Sequence, residues 1–311
     1  MPPASSHLST RHTIRSEAPT GRGWPIVLLL VVLLSLVGWS YLTAMVVDMV
    51  PAMDMSEAGP GMGFFNAFNL FAGLPAEARA ALAALCLPAG STFGMPSSDM
   101  TSSDLLKIFL MWAMMALAMM LPTAVPMLRK YFSEISRKAG ADARAVSATL
   151  AAASGYLTIW LGYALLATFA QWLLSRAGAL TDMMAPATLA LTISVLFAAG
   201  LYQFTPSKHF CLQRCWYPRW AFTGGRVHPG TGHGYREGLV QGWACLGCCW
   251  AVMTLMFAVG LMNIIWIALL GSLMAIEKTF PNRWLPYVIG AGLLLWSGFL
   301  TFLLMSGHSS A

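Results

Sequence analysis

Charge is what this sequence has least of. Only 10% of its 311 residues are Asp, Glu, Lys or Arg, while 58% are apolar. Soluble domains carry roughly 25% charged residues, so a soluble globular chain is excluded. The scarcity is uneven, and from Leu239 to Ile276 no charged residue occurs at all. As one helix that stretch would measure about 57 Å, too long for a hydrocarbon core of ~30 Å. Chemical signatures are missing as well. Gly224-Gly225 and Gly230-x-Gly232 lack the strand and helix that frame a phosphate loop, and no ATP-binding motif occurs. No Cys-x-x-Cys-His haem signature is present, and no repeat recurs at solenoid periods. A typical cleavable signal is not seen either, because the first apolar run far exceeds a ~7–15 residue h-region.

What remains is a series of apolar runs near or above the ~18 residues that mark a transmembrane helix. They cover 24–47, 105–128, 148–174, 187–204 and 285–305, with Leu239–Ile276 added. The last is read as two helices broken near Gly260-Leu-Met-Asn263, or as one long tilted helix with a non-helical entrance. The expected fold is all-α, a polytopic transmembrane bundle of six to seven spans. Residues 1–23, rich in Ser, Thr, Pro and Arg, read as a disordered tail. Residues 24–47 read as the first transmembrane helix, 48–103 as an external loop, and 104–311 as a multi-span core. Within the loop, residues 75–88 carry the proline and glycine signals of a short surface helix, with Cys86 as a lone thiol.

Lysines and arginines orient the spans. Arg11, Arg15 and Arg22 precede the first; Arg129, Lys130, Arg137, Lys138 and Arg144 follow the second; Lys208, Arg214, Arg219, Arg226 and Arg236 follow the fourth. The 48–103 stretch holds only Arg79 against five acidic residues. The N-terminus is therefore expected in the cytosol and the 48–103 loop outside. The net charge of +6 follows from this topology, so no nucleic-acid partner is expected and the lipid bilayer is the main one.

Five of the six cysteines crowd into two clusters, Cys211-Leu-Gln-Arg-Cys215 and Cys245-Leu-Gly-Cys248-Cys249. Residues three or four apart share a helix face, so Cys211 can present Cys215 beside it, and Cys245 can present Cys248 or Cys249. Thr205-Pro206 and Pro218 bracket a short helix around the first pair, where Lys208 and Arg214 favour thiolate. On the cytosolic face, thiols stay reduced and a structural disulfide is disfavoured. Converging thiols there suit a soft metal ion: Cu(I), Zn²⁺ or an iron–sulfur cluster.

Methionine is the second excess, at 21 residues. Met49, Met53, Met55, Met62, Met95 and Met100 sit among Asp48, Asp54 and Asp99 in the external loop. In the second span Met111, Met115 and Met119 form an i, i+4, i+8 stripe. Thioethers suit Cu(I) and poorly suit Zn²⁺, which favours Cu(I) over Zn²⁺, although flexible methionines also fill gaps between helices. Pro122 and Pro126 break the end of that span, as a kink or as the wall of a permeation site. His209, His228 and His233 are accessory candidates. Glu277 and Lys278 read as interface anchors, with gating or proton coupling by Glu277, Asn263 or Gln203 as the alternative. Lys107 is expected to snorkel or to pair with Asp104.

Three motifs together resemble a known family. Trp112-x-x-Met115-x-x-Ala118-Met119-Met120-Leu121-Pro122, Thr205-Pro206-x-Lys208-x-x-Cys211-x-x-x-Cys215 and Cys245-x-Gly247-Cys248-Cys249-Trp250 are similar to bacterial predicted metal-binding integral membrane proteins of unknown function. The likeness continues through Gly260-x-Met262-Asn263 and Glu277-Lys278, covering roughly residues 100 to 285. It implies a bound metal and a bacterial inner-membrane location, and adds Met262 to the candidates.

The expected function is binding of a soft metal ion, Cu(I) before Zn²⁺, and its movement or delivery across the inner membrane. External Met53 and Met55 would collect the ion, Met111, Met115 and Met119 would pass it inward, and the five clustered cysteines would capture it at the cytosolic mouth. A metal-delivery partner protein would complete the route. No residue is assigned a catalytic role, and a binding protein is favoured over an enzyme. Two readings compete: a thiol–disulfide oxidoreductase using Cys245 and Cys248, and an assembly factor clamped by Zn²⁺ that does not transport.

Overall fold

The computed structural model describes residues 21–50, 54–68, 102–139, 142–181, 184–218 and 230–308. The expected surface helix at 75–88, the thiol of Cys86, Met53, Met95, Met100, His228 and nearly all of the N-terminal tail lie outside these residues. Among the described residues the chain is helical, with no strand beyond an isolated bridge between Leu180 and Pro186. Helix α1 spans Trp24–Met49 and α2 spans Ser102–Met115, continued by a π-turn at Ala116–Met120 and a short turn at Leu121–Thr123. Then follow α3 (Val125–Ala139), α4 (Asp142–Arg176), α5 (Leu189–Tyr202) and α6 (Pro206–Trp216). Helix α7 (Thr231–Thr254) is extended by Met256–Val259, and α8 (Ile264–Thr279) and α9 (Leu285–His308) complete the chain.

Five stretches are long and apolar enough to cross a membrane: Trp24–Met49, Ser102–Thr123, Asp142–Arg176, Thr231–Val259 and Leu285–Ser306. Counting α5 and α6 as one span bent by 64° makes six. Helix α8, at 16 residues, falls short of the ~20 a straight crossing needs, so it is not counted among the spans of the described residues. Leu165, Leu166, Phe169, Leu295 and Phe302 are exposed, as suits a perimeter solvated by lipid rather than water. The chain is thus an all-α, multi-pass membrane protein.

The apolar stretch from Leu239 does break at Gly260–Asn263. There the chain reverses, so that α8 runs back along α7 and Lys278 returns to the level of Cys245, 2.8 Å from its sulfur. Gly260 has φ +100 and Gly59 has φ +117, and a Cβ on either would strike backbone of the other's loop, at Ala58 O or Val259 O. Glycine is required at both for this close approach. Asn263 caps α8 through Trp266 N–H, and its amide donates to Pro60 O at 2.9 Å. This end of the bundle therefore holds the 54–68 turns and the α7–α8 reversal. The opposite end holds the start of α1, where Trp24 packs on Phe132 of α3 with ring centroids 5.8 Å apart.

Helices α4 and α7 share the longest contact. Gly234, Gly238 and Gly242 recur every four residues on α7. A Cβ on Gly234 or Gly238 would collide with the carbonyl of Ala148 or Ala152 on α4. A stripe of small residues lets two helix backbones approach closely in lipid. Cys245 follows Gly242 by three residues, on the adjoining part of the same face.

The bend at the end of α2 also has a local cause. Pro122 has no N–H for the carbonyl of Ala118, and Trp39 Nε1 donates to that oxygen from α1 at 3.1 Å. The Met120 carbonyl receives Thr123 Oγ1 at 2.8 Å and Tyr156 Oη at 3.1 Å. Carbonyls freed within a span are satisfied by neighbouring side chains.

Candidate metal centre

The centre is assembled from α6, α7 and α8 against α2 and α4. Thr205 caps α6 by accepting from Lys208 N–H at 3.3 Å, with Pro206 in the first turn. Proline at that position costs no helical hydrogen bond. The helix then carries Lys208, Cys211, Leu212, Cys215 and Trp216 inward or along its edge. Helix α7 supplies Cys245, Cys248 and Cys249, all buried. The sulfurs of Cys215, Cys245 and Cys248 lie within 4.8 Å of one another, a spacing that one metal ion can bridge. Cys215 Sγ is 3.7 Å from Cys248 Sγ, and Cys249 Sγ is 3.3 Å from Cys248 Sγ. Cys249 thus stands directly beside the trio. Cys211 does not join it: its sulfur rests against Gly247, one turn of α6 away from Cys215, and is half-buried.

Cys245 is midway along Thr231–Val259. The first turns of that helix carry Arg236 and Glu237, so Cys245 lies only about 9 Å beyond the start of the uncharged run at Leu239.

Two lysines face the thiols. Lys278 Nζ is 2.8 Å from Cys245 Sγ, 2.8 Å from Thr123 Oγ1 and 3.7 Å from Met120 Sδ. An ammonium has three donors and no acceptor, and here each donor has one acceptor. Lys208 Nζ donates to Cys248 O at 2.7 Å and pairs with Glu277 Oε2 at 2.8 Å. Trp216 Nε1 holds the Glu277 carbonyl at 2.9 Å. Glu277 and Lys278 are both buried, so the interface-anchor reading is overturned. Although α8 ends at the exposed Thr279, these two side chains turn into the bundle and find partners there instead of meeting headgroups. Tyr156 Oη, 2.9 Å from Cys245 Sγ, closes the α4 side.

A cavity of about 20 Å³ opens beside the trio, lined by Thr123, Met127, Tyr156, Cys215, Cys245 and Lys278 among others. That is room for about one water-sized atom. Its lining is soft on the sulfur side and cationic at Lys278. A monovalent soft cation held by thiolates fits this donor set, because thiolates neutralise it and thioethers can share it.

The methionine stripe changes register at the π-turn. One extra residue per turn there aligns i with i+5, so Met120 succeeds Met115 on the inward face. Met120 Sδ reaches Lys278, while Met119 packs on Gly271 of α8. Met111 and Met115 are buried on the preceding turns. Met55 and Met262 are buried at the far end with the 54–68 turns; Met262 is roughly 24 Å along α8 from Lys278. His209 stacks on Tyr287, with ring centroids 4.8 Å apart, and does not face the thiols. His233 pairs with Glu237 at 3.9 Å.

Sequence reasoning left Tyr156, Thr123, Met120 and Lys278 out of the candidate set. Lys278 carried one signal, a charge just past the end of an uncharged run, and Met120 stood within one of the motifs. Tyr156 and Thr123 carried none, since only tertiary contacts bring them to Cys245.

A family model described as PpoB2, copper chaperone, matches residues 109–300. That is more than half of the 311-residue chain. The chain belongs to this copper-chaperone family. The match includes all five clustered cysteines, Met111, Met115, Met119 and Lys278, and leaves out the 54–68 turns. It fits the metal-binding membrane family suggested by the sequence motifs and names copper where those motifs implied only a metal. No curated protein and no solved structure matches the chain.

Proposed function

We propose that this protein holds Cu(I) within the bacterial inner membrane on Cys215, Cys245 and Cys248 and delivers it to a partner protein with soft ligands. The observation that carries this reading is the trio of sulfurs within 4.8 Å, beside an ion-sized cavity and in a chain of the copper-chaperone family. Three thiolates bind Cu(I) tightly, whereas thioethers bind it loosely enough to exchange. Met111, Met115 and Met120 on the inward face of α2 supply such a route to the thiols, and Met55 and Met262 lie at its distant end. Affinity therefore rises from the external end toward the centre. No phosphate-binding motif is present, and delivery runs down the gradient of ligand affinity.

The test is elemental analysis of protein purified in detergent and loaded with Cu(I) under anaerobic conditions. Wild type should retain one copper per chain. Serine at Cys215, Cys245 and Cys248 together should abolish it, while Cys211→Ser should keep it. Zinc in place of copper, retained without exchange, would favour the clamped assembly factor. A Cys245–Cys248 disulfide formed during turnover would favour thiol oxidoreduction.

A further inference from the structure

The buried trio poses a problem of access. Cys245 and Cys248 are 2% and 0% exposed, so neither can meet an acceptor directly. Cys215 is the one member of the trio that is only half-buried, and it lines the cavity together with Cys245. The other wall of that cavity is the junction between α2 and α3: Thr123, Ala124, Pro126 and Met127. Pro126 is exposed, and Arg129 and Lys130, a turn further along α3, are exposed too. The cavity thus lies between the thiols and the exposed Pro126 at the basic end of the bundle.

Met127 is the one thioether among the residues lining this cavity. It is 5% exposed, next in sequence to Pro126, and plays no part in the trio. We propose that this cavity is the ion's passage between the buried thiols and the basic end, with Met127 as the sulfur ligand at its mouth. This rests on the Cu(I) reading above. The passage works by ligand exchange without redox change. As the Met127 sulfur bonds to copper, the bond to Cys245 or Cys248 is released, with Cys215 shared between the two positions. An acceptor thiolate then displaces Met127 in the same way. A weak ligand at the mouth lowers the barrier to leaving without adding a second resting site.

The experiment follows Cu(I) transfer from the loaded full-length chain in detergent to excess bathocuproine disulfonate, by stopped-flow absorbance. Met127→Leu keeps volume and removes sulfur. It should retain one copper per chain and transfer it at least tenfold more slowly. Met127→Cys, which restores a soft donor, should recover most of the rate. Met45→Leu, buried on α1 and outside the cavity lining, should transfer at the wild-type rate. A wild-type rate for Met127→Leu overturns the proposal. So does loss of copper from it, which would make Met127 part of the resting site. Absence of copper from wild type would instead remove the underlying reading.

Discussion

Lys208 and Lys278 are both buried beside the cysteines, and each has its own counter-charge. Lys208 is matched by Glu277 and fixed further by the Cys248 carbonyl. Its role is to tie α6, α7 and α8 together at the level of the metal centre. Glu277 Oε1 has no hydrogen-bond partner among the described residues, so this carboxylate depends heavily on Lys208. Removing one member of a buried pair strands the other and costs about 3–5 kcal/mol, whereas replacing both by apolar groups is often nearly neutral. Lys208→Met should therefore lower the midpoint of thermal unfolding in detergent sharply. The double variant Lys208→Met with Glu277→Leu should recover most of it. An equal loss in both would show that the pair is not the dominant contact. Lys278 has no carboxylate in its contacts, and the group that can balance it is the Cys245 sulfur as thiolate. The ammonium thereby keeps one ligand of the trio ready for a cation.

At the scale of elements, a π-turn and a glycine stripe decide which side chains meet. The π-turn at Ala116–Met120 adds one residue to a turn of α2 and rotates everything after it. Met120 replaces Met119 on the inward face as a result. The stripe Gly234, Gly238 and Gly242 sets how closely α7 lies on α4, and so the distance between Cys245 and Tyr156. Gly238→Val would push its branched side chain into the Ala152 carbonyl. We expect it to abolish copper retention and to lower the yield of folded protein. Gly162→Ala on α4 is the control, since nothing lies within 4 Å of its added Cβ. It should be neutral or stabilise by up to about 1 kcal/mol, the helix-propensity difference. Loss of copper in both variants alike would discount close packing as the cause.

For the molecule as a whole, the two ends differ in chemistry. The start of α1 and the basic α3 share one end; Gly59, Pro60 and Asn263 meet at the other. Basic residues favour the cytosolic side, from which we predict that the first end faces the cytosol. Alkaline phosphatase fused after residue 68 should then be active in intact bacteria, and the same enzyme fused after residue 139 inactive. The reverse pattern would invert the orientation and with it the direction in which the Met127 passage opens. In the favoured orientation the passage faces the cytosolic end, where acceptors carry reduced thiols.

The lack of charge by itself determined that this is a helical membrane protein, because uncharged runs of span length have no other stable solution in lipid. Local signals also placed the break at Gly260–Asn263, the capped helix from Pro206, and the pairing of Lys107 with Asp104, 3.0 Å apart. The motifs spread along the chain pointed only to a metal-binding membrane family, and the copper-chaperone match over residues 109–300 named the metal. Tertiary structure alone decided which thiols converge. Cys211 and Cys215 share a helix face by spacing, yet one rests on Gly247 and the other reaches Cys248. Helical periodicity describes one element at a time. The centre takes its ligands, its buried ammonium and its cavity from six helices, and their meeting depends on close backbone packing and on one π-turn that no period of 3.6 residues records.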